Sequence, residues 1–240
     1  MPGSGKGRTL TAHRKRTGET MNQLNVEQAR FNMIEQQIRP WDVLDPQVLE
    51  VLSAMPREAF VPAAHRALAF SDISIPLGHD QYMMAPRVEG RMLQSLTIGA
   101  EDSILEIGTG SGYMTACLAR LGGQVTSVDL FPDFVEQADA KLVAHGIANA
   151  RLSVRDAARG WDHRDRFDVI AVTGSLPVLH EGFHESLHIG GRMFVVTGNP
   201  PIMEALLITR VSEREWITES LFETSLPPLV NAEAPNAFAL

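Results

Sequence analysis

The chain has 240 residues, of which 44% are hydrophobic and 21% charged, enough apolar content for a buried core and too much for disorder over its whole length. Its 21 basic and 29 acidic side chains leave a net charge of −8, and residues 1–20 alone carry +4, so the other 220 residues hold −12. A body that acidic repels phosphate, which excludes nucleic acid as the main partner. No apolar run approaches the ~18–20 residues of a membrane span, and the single Cys117 allows no intrachain disulfide, which fits a reducing, cytoplasmic setting.

The basic head contains Lys6, Arg8, Arg14, Lys15 and Arg16 with almost no apolar residue, and is expected to be a disordered extension. From residue 21 onward the pattern is that of one folded domain. Val26, Ala29, Met33, Ile34 and Ile38 recur at helical spacing up to Pro40. Asp45-Pro46 reads as an N-cap with proline at the first helical position, followed by Val48, Leu49, Val51, Leu52 and Met55 as the buried face. Pro56, Pro62, Pro76 and Gly78 punctuate residues 56–85, which are expected to be irregular. Pro86 opens a further helix with Val88, Met92, Leu93 and Leu96 turned inward.

After Gly99 strands and helices alternate. Strands are predicted at 103–107, 124–128, 151–155, 167–173 and 192–197, with helices through Leu121, over 132–144 and near 178–187. Two last strand-like runs, 205–211 and 216–222, have no helix between them and should pair antiparallel. The expected fold class is therefore α/β: a mostly parallel central sheet with helices on both faces, an antiparallel C-terminal strand pair, and an N-terminal helical segment, 21–98, packed on a core of 99–230.

Glu106-Ile-Gly108-Thr109-Gly110-Ser111-Gly112 sits where the first core strand turns into its helix, the place where such sheets bind ligands. The glycine spacing is Gly-x-Gly-x-Gly, and Tyr113 stands where a dinucleotide-binding loop has its third glycine. Asp129, with Leu130 after it, ends the second strand, where a carboxylate can accept from ribose hydroxyls. Asp156, with Ala157 after it, ends the third, where it can accept from an adenine amino group. Two acids and no waiting base suit an adenosine joined to a cationic sulfonium, that is, S-adenosyl-L-methionine (SAM).

This motif set resembles the protein-L-isoaspartate O-methyltransferases, within the Rossmann-like SAM-dependent methyltransferase superfamily. The run Glu106–Tyr113 is similar to that family's SAM loop. Met55-Pro-Arg-Glu-Ala-Phe-Val-Pro62, Ile75-Pro-Leu-Gly-His79 through Gln81, Arg159-Gly-Trp161, Val172-Thr173, Gly190-Gly-Arg192 and Pro227-Pro-Leu229 are similar to further family segments. The resemblance implies SAM as cofactor and methylation of a carboxylate on isoaspartyl residues of damaged proteins. It also implies an acceptor loop over Gly78, His79, Gln81, Tyr82, Met83 and Met84. That loop departs from the family: Gln-Thr-Ile-Ser-Ala-Pro-His there is Gln81-Tyr-Met-Met-Ala-Pro-Arg87 here, so Met84 occupies the serine position and Arg87 the histidine position. Methionine donates no hydroxyl proton. Arg87 is expected to pair with a substrate carboxylate, and Tyr82, Met83 and Met84 to wall the methyl group. The alternatives are an enzyme for another, small acceptor and a SAM-binding module without catalysis. Partners are expected to be a peptide or protein substrate, with neither nucleic acid nor membrane, and oligomeric state is left open.

His180-Glu-Gly-Phe-His184 matches the His-Glu-x-x-His zinc pattern, and His188 continues the spacing. Gly182 inside a short helix between two sheet strands argues against it, so no metal is expected.

Overall fold

A computed structural model describes residues 23–161 and 164–233; the basic head expected to be disordered lies outside them. Residues 23–33 form α1, which continues as a π-turn over Ile34–Ile38 and a 3-10 turn over Arg39–Trp41 that holds Pro40. α2 spans Pro46–Ala54; Asp45 caps it, its Oδ1 accepting from the backbone N–H of Gln47 at 2.8 Å and of Val48 at 3.2 Å. A short α3, Arg57–Phe60, precedes a hairpin of β1, Ile75–Gly78, and β2, Gln81–Met83. α4, Pro86–Leu96, follows.

The core strands are β3 Ser103–Ile107, β4 Gln124–Asp129, β5 Ala150–Val154, β6 Phe167–Leu176, β7 Leu187–Asn199, β8 Ile202–Arg210 and β9 Trp216–Glu223. Their order is β5-β4-β3-β6-β7-β8-β9, parallel through β7 and antiparallel for β8 and β9. The helices between them are α5 Tyr113–Leu121, α6 Pro132–Ala144 and α7 Glu181–Glu185. Each strand feeds both faces because side chains alternate. Ile104, Val169, Ala171, Phe194 and Val196 join one buried cluster with α1, α2, α4 and α5 residues such as Met33, Leu52, Leu93 and Leu118. Leu105, Ile170, Val172, Met193 and Val195 join the other, under Trp161 and Phe183. Such two-sided burial explains why these strands read as continuous apolar runs.

Three local expectations need correction. Residues 56–85 are not wholly irregular: α3 and the β1–β2 hairpin lie within them, the hairpin turning through Gly78, His79 and Asp80 at φ of 115°, 51° and 55°. Pro76 hid β1, and is tolerated because a two-stranded ribbon leaves edges open. β7 begins at Leu187 instead of 192, five residues earlier than expected. The preceding helix is confined to α7, since the His180 ring caps its start and Arg210 grips the carbonyls of Glu185, at its end, and Leu187, just beyond it, at 3.2 and 2.7 Å.

The strand order reverses at β3, so the carboxyl ends of β3, β4 and β6 open a crevice at that end of the sheet. The α2 cap offers a check on the N-terminal segment. Asp45→Ala removes the side-chain acceptor for two helix N–H groups and should cost about 1 kcal/mol in urea denaturation; an unchanged midpoint would contradict the cap's role.

Candidate functional site at the strand ends

The turn after β3 is built from the inside. The Glu106 carboxyl is fully buried, and its Oε2 accepts from Thr115 Oγ1 of α5 at 2.5 Å and from Ser127 Oγ of β4 at 2.6 Å. Ser127 has one hydroxyl proton and gives it to Glu106, so Thr109, whose Oγ1 lies 2.6 Å away, is the donor in the next link. The backbone N–H groups of Gly108 and Thr109 both donate to the Val128 carbonyl, at 2.8 and 3.2 Å. Lys141 Nζ donates to the carbonyls of Ser111 and Phe60, at 3.2 and 3.0 Å, and so clamps the turn to the end of α3. Gly110 and Gly112 have φ of 49° and 83°. A Cβ on Gly110 would stand 3.1 Å from Leu77 Cδ1, and one on Gly112 2.9 Å from the Ala138 Cβ. Both positions need glycine, the first where the turn meets β1 and the second where it meets α6.

A solvent-open cleft of about 590 Å³ lies beside this turn, between Leu77 and Tyr82 of the hairpin, Gly108 and Gly110, and the ends of β4, β5 and β6. Asp129, Leu130, Asp156 and Ala157 line it. Asp129 is 8% exposed; its Oδ2 accepts from Gly110 N at 2.8 Å and its Oδ1 from Phe131 N at 3.0 Å. Burial raises its pKa, and those backbone donors oppose the rise. Asp156 accepts from Ala158 N at 3.1 Å and from Asn231 Nδ2 at 2.8 Å. The basic residue on the lining, Arg155, stacks its guanidinium over the Trp161 ring at 4.2 Å. The cleft therefore offers acceptors to hydroxyl and amino groups and commits its base elsewhere.

A second, smaller pocket shares Leu77, Tyr82, Gly108, Gly110 and Thr173 with the cleft and continues to Met83, Met84, Thr109, Ser111, Met114 and Glu89. Gln81 lines the cleft, and His79 lines a groove with Pro227, Pro228 and Asn231 at its mouth. His79 stacks on Phe131 with centroids 4.1 Å apart, and its Nε2 is 3.1 Å from the Asp133 carboxylate. Glu106, Gly112, Gly78 and Arg87 line neither cavity. Glu106 and Gly112 act from behind the turn and Gly78 within the hairpin. Arg87 is paired with Asp72 and lies over the Trp41 ring, 4.5 Å from its centroid.

Two residues at the site went unread in the sequence. Arg57 is fully buried, donates from Nη1 to Glu89 Oε1 at 3.0 Å and from Nη2 to the Met84 carbonyl at 2.7 Å, and so fixes the departing loop from beneath. Glu89 was detectable: it precedes Leu93 by four residues and Leu96 by seven, on the apolar face of α4. The histidines of the zinc-like motif have other partners. The His180 Nδ1 accepts from Gly182 N at 3.1 Å and His184 stands edge-on to Trp216, and among the described residues no group of three potential ligands could hold a metal.

The family model for protein-L-isoaspartate(D-aspartate) O-methyltransferase matches residues 28–234. A protein-L-isoaspartate O-methyltransferase of Rhodopseudomonas palustris strain HaA2 is 35% identical over 205 residues, 85% of this chain and 84% of its own. One of Magnetococcus marinus is 36% identical over 207 residues, 86% and 90% of the two chains. Among solved structures, a putative protein-L-isoaspartate O-methyltransferase of Plasmodium falciparum, in complex with S-adenosyl-L-homocysteine, superposes with a TM-score of 0.71 at 17% identity, covering 85% of this chain and 97% of that one. That likeness confirms the fold.

Two outcomes test the turn. Gly110→Val, which meets Leu77 in a left-handed backbone, should abolish binding of S-adenosyl-L-homocysteine; unchanged calorimetric affinity would contradict the assignment. Burial lifts the Glu106 carboxyl to about 8, against the hydrogen bonds of Ser127 and Thr115. Its folded pKa is above the unfolded one, so its contribution to stability is complete below about 4.5 and is lost as pH rises through about 8. Glu106→Gln, a permanently neutral isostere, should reduce the fall in stability between pH 5 and 8 and exceed wild type by roughly 2 kcal/mol at pH 8. Parallel pH profiles for the two proteins would contradict it.

Proposed function

The chain belongs to the protein-L-isoaspartate(D-aspartate) O-methyltransferase family, and from that premise we propose how its own residues carry out methyl transfer from SAM to the carboxylate of an isoaspartyl residue. The observation that carries the reading is the cleft flanked by Asp129 and Asp156 and floored by Gly108 and Gly110, at the strand ends where the family's glycine turn falls.

The residues present fit the cofactor. Asp129, already oriented by two backbone donors, keeps lone pairs that would hold the ribose hydroxyls, and Asp156 with the Ala157–Ala158 backbone would hold the adenine edge. The floor at Gly110 is a cradle that a side chain would fill. When bound, SAM supplies an electrophilic methyl group on a sulfonium. The protein has correspondingly little proton chemistry to perform, because an ionised carboxylate is already a nucleophile. Its task is alignment, which is worth up to ~7–11 kcal/mol, and exclusion of water. The β1–β2 hairpin does the second by laying Leu77, Tyr82, Met83 and Met84 over the turn.

The acceptor reaches this point along the groove of His79, Asp80, Pro227, Pro228 and Asn231, which meets the cleft at Gln81 and Leu229 and suits an extended peptide. Tyr82, 44% exposed, stands at its mouth. Met84 replaces a hydroxyl donor by an apolar wall, so this chain holds the acceptor carboxylate with one fewer hydrogen bond than the serine its relatives' motif carries. Arg87 serves the loop's shape through Asp72 and Trp41. The acidic body and the peptide groove favour a protein substrate, and the role in protein repair follows from it. A cytoplasmic site of action fits the one buried, free cysteine, Cys117. Among the described residues no helix is long and apolar enough to cross a membrane.

Labelled methyl transfer to an isoaspartyl peptide should yield a base-labile ester, and Met84→Ser should raise kcat/KM for that peptide about tenfold, the worth of one hydrogen bond to a charged group. No ester with either protein would contradict the proposal and favour a different acceptor.

A further inference from the structure

The small cavity beyond the glycine turn is apolar on most sides: Leu77, Met83, Met84 and Met114. Glu89 is the one acidic or basic residue on its lining, and it is 1% exposed. Arg57 Nη1 lies 3.0 Å from both Glu89 carboxyl oxygens but is aligned as a donor only to Oε1, while Oε2 has no donor. Its Nη2 donates to the Met84 carbonyl, and its buried Nε reaches no acceptor, Glu89 Oε2 included. A buried carboxylate oxygen without a donor is costly, and a ligand that supplies one is favoured by the same amount. Glu106, which also has an oxygen without a donor, lines neither cavity and cannot compete for that ligand.

The cleft and this cavity meet across Gly108 and Gly110. A nucleoside held by Asp129 and Asp156 sends its 5′ substituent over those glycines toward Glu89. We propose that Glu89 Oε2 accepts a hydrogen bond from the α-ammonium of the cofactor's methionine end, making Glu89 a binding residue that selects ligands carrying that amino acid. This rests on the SAM reading of the cleft and adds to it a residue for the half of the cofactor that Asp129 and Asp156 do not reach.

The charged and titratable groups that face Glu89 are Arg57 from α3 and Tyr113 and Cys117 from α5. Burial raises the Glu89 carboxyl to about 7, against the pull of Arg57. An ammonium favours the ionised form, so binding at pH 6 expels a proton from Glu89, and affinity rises through pH 7 and levels above it.

The test compares S-adenosyl-L-homocysteine with 5′-methylthioadenosine, which keeps the nucleoside and the sulfur but lacks the amino-acid end. Calorimetry at pH 6 and 8, in buffers of different ionisation enthalpy, reads affinity and proton release together. Ionisation of Asp129 or Glu106, beside the turn, acts on both ligands; Glu89 acts on one. The preference for S-adenosyl-L-homocysteine over 5′-methylthioadenosine should rise about tenfold from pH 6 to 8, with a proton released at pH 6 for the first ligand alone. Glu89→Gln should lower S-adenosyl-L-homocysteine affinity about tenfold at pH 8, leave 5′-methylthioadenosine unchanged and flatten the preference. A preference that is flat with pH in the wild type, or an equal loss for both ligands in the variant, overturns the role of Glu89. Binding of neither ligand by the wild type overturns the SAM reading itself.

Discussion

A single buried carboxyl holds the ligand-binding turn in shape. Glu106 is the last polar group before β3 runs out, and the hydroxyls of Thr115 and Ser127 converge on one of its oxygens from the following helix and the adjacent strand. Thr109 extends the chain of donors from within the turn. Strand, neighbouring strand and helix are thus tied at the point where the backbone must turn sharply, and Gly110 and Gly112 take the positive φ values that this geometry demands. The N–H of Gly110 is left pointing at Asp129, which orients the acid that faces the cleft. Burial keeps Glu106 largely protonated near neutrality, so the tie is a neutral hydrogen-bonded group and not a buried charge.

On this frame the site divides by chemistry. One side of the turn gathers carboxylates at the strand ends, suited to the hydroxyl and amino groups of a nucleoside. The other is walled by methionines and closed by the buried Arg57–Glu89 pair. Arg57 links that pair to the acceptor loop through the Met84 carbonyl, so the loop with the departure from the family pattern and the cavity floor share one cation.

The inner strands were readable because they are buried on both faces and so appear as apolar runs bounded by glycine and aspartate, as β3 and β4 do; the β8–β9 pair, of which β9 is largely exposed, was readable because no helical pattern separates its two runs. The glycine turn, Asp129 and Asp156 were readable because each occupies a strand end, a position that periodicity defines. What escaped was tertiary. The β1–β2 hairpin is carried by His79 and Asp80 in left-handed conformations that no local pattern marks, with Pro76 pointing away from a strand. Arg57 looks like a surface charge, and only its pairing with Glu89, on the apolar face of α4, makes the two a buried pair. Arg87 is the converse: its position in the family's loop suggested a substrate anchor, and the fold carries it to Asp72 and Trp41, which sequence separation concealed.

The central claim is that the turn after β3 seats a nucleoside between two acids with its sulfur substituent crossing the glycines. A crystal structure with S-adenosyl-L-homocysteine tests it most directly. The account predicts ribose hydroxyls on Asp129, the adenine edge at Asp156 and the amino-acid end in the cavity of Met84 and Glu89. A ligand that lies elsewhere, or a cleft that instead admits a dinucleotide with its pyrophosphate on the glycine turn, would contradict it.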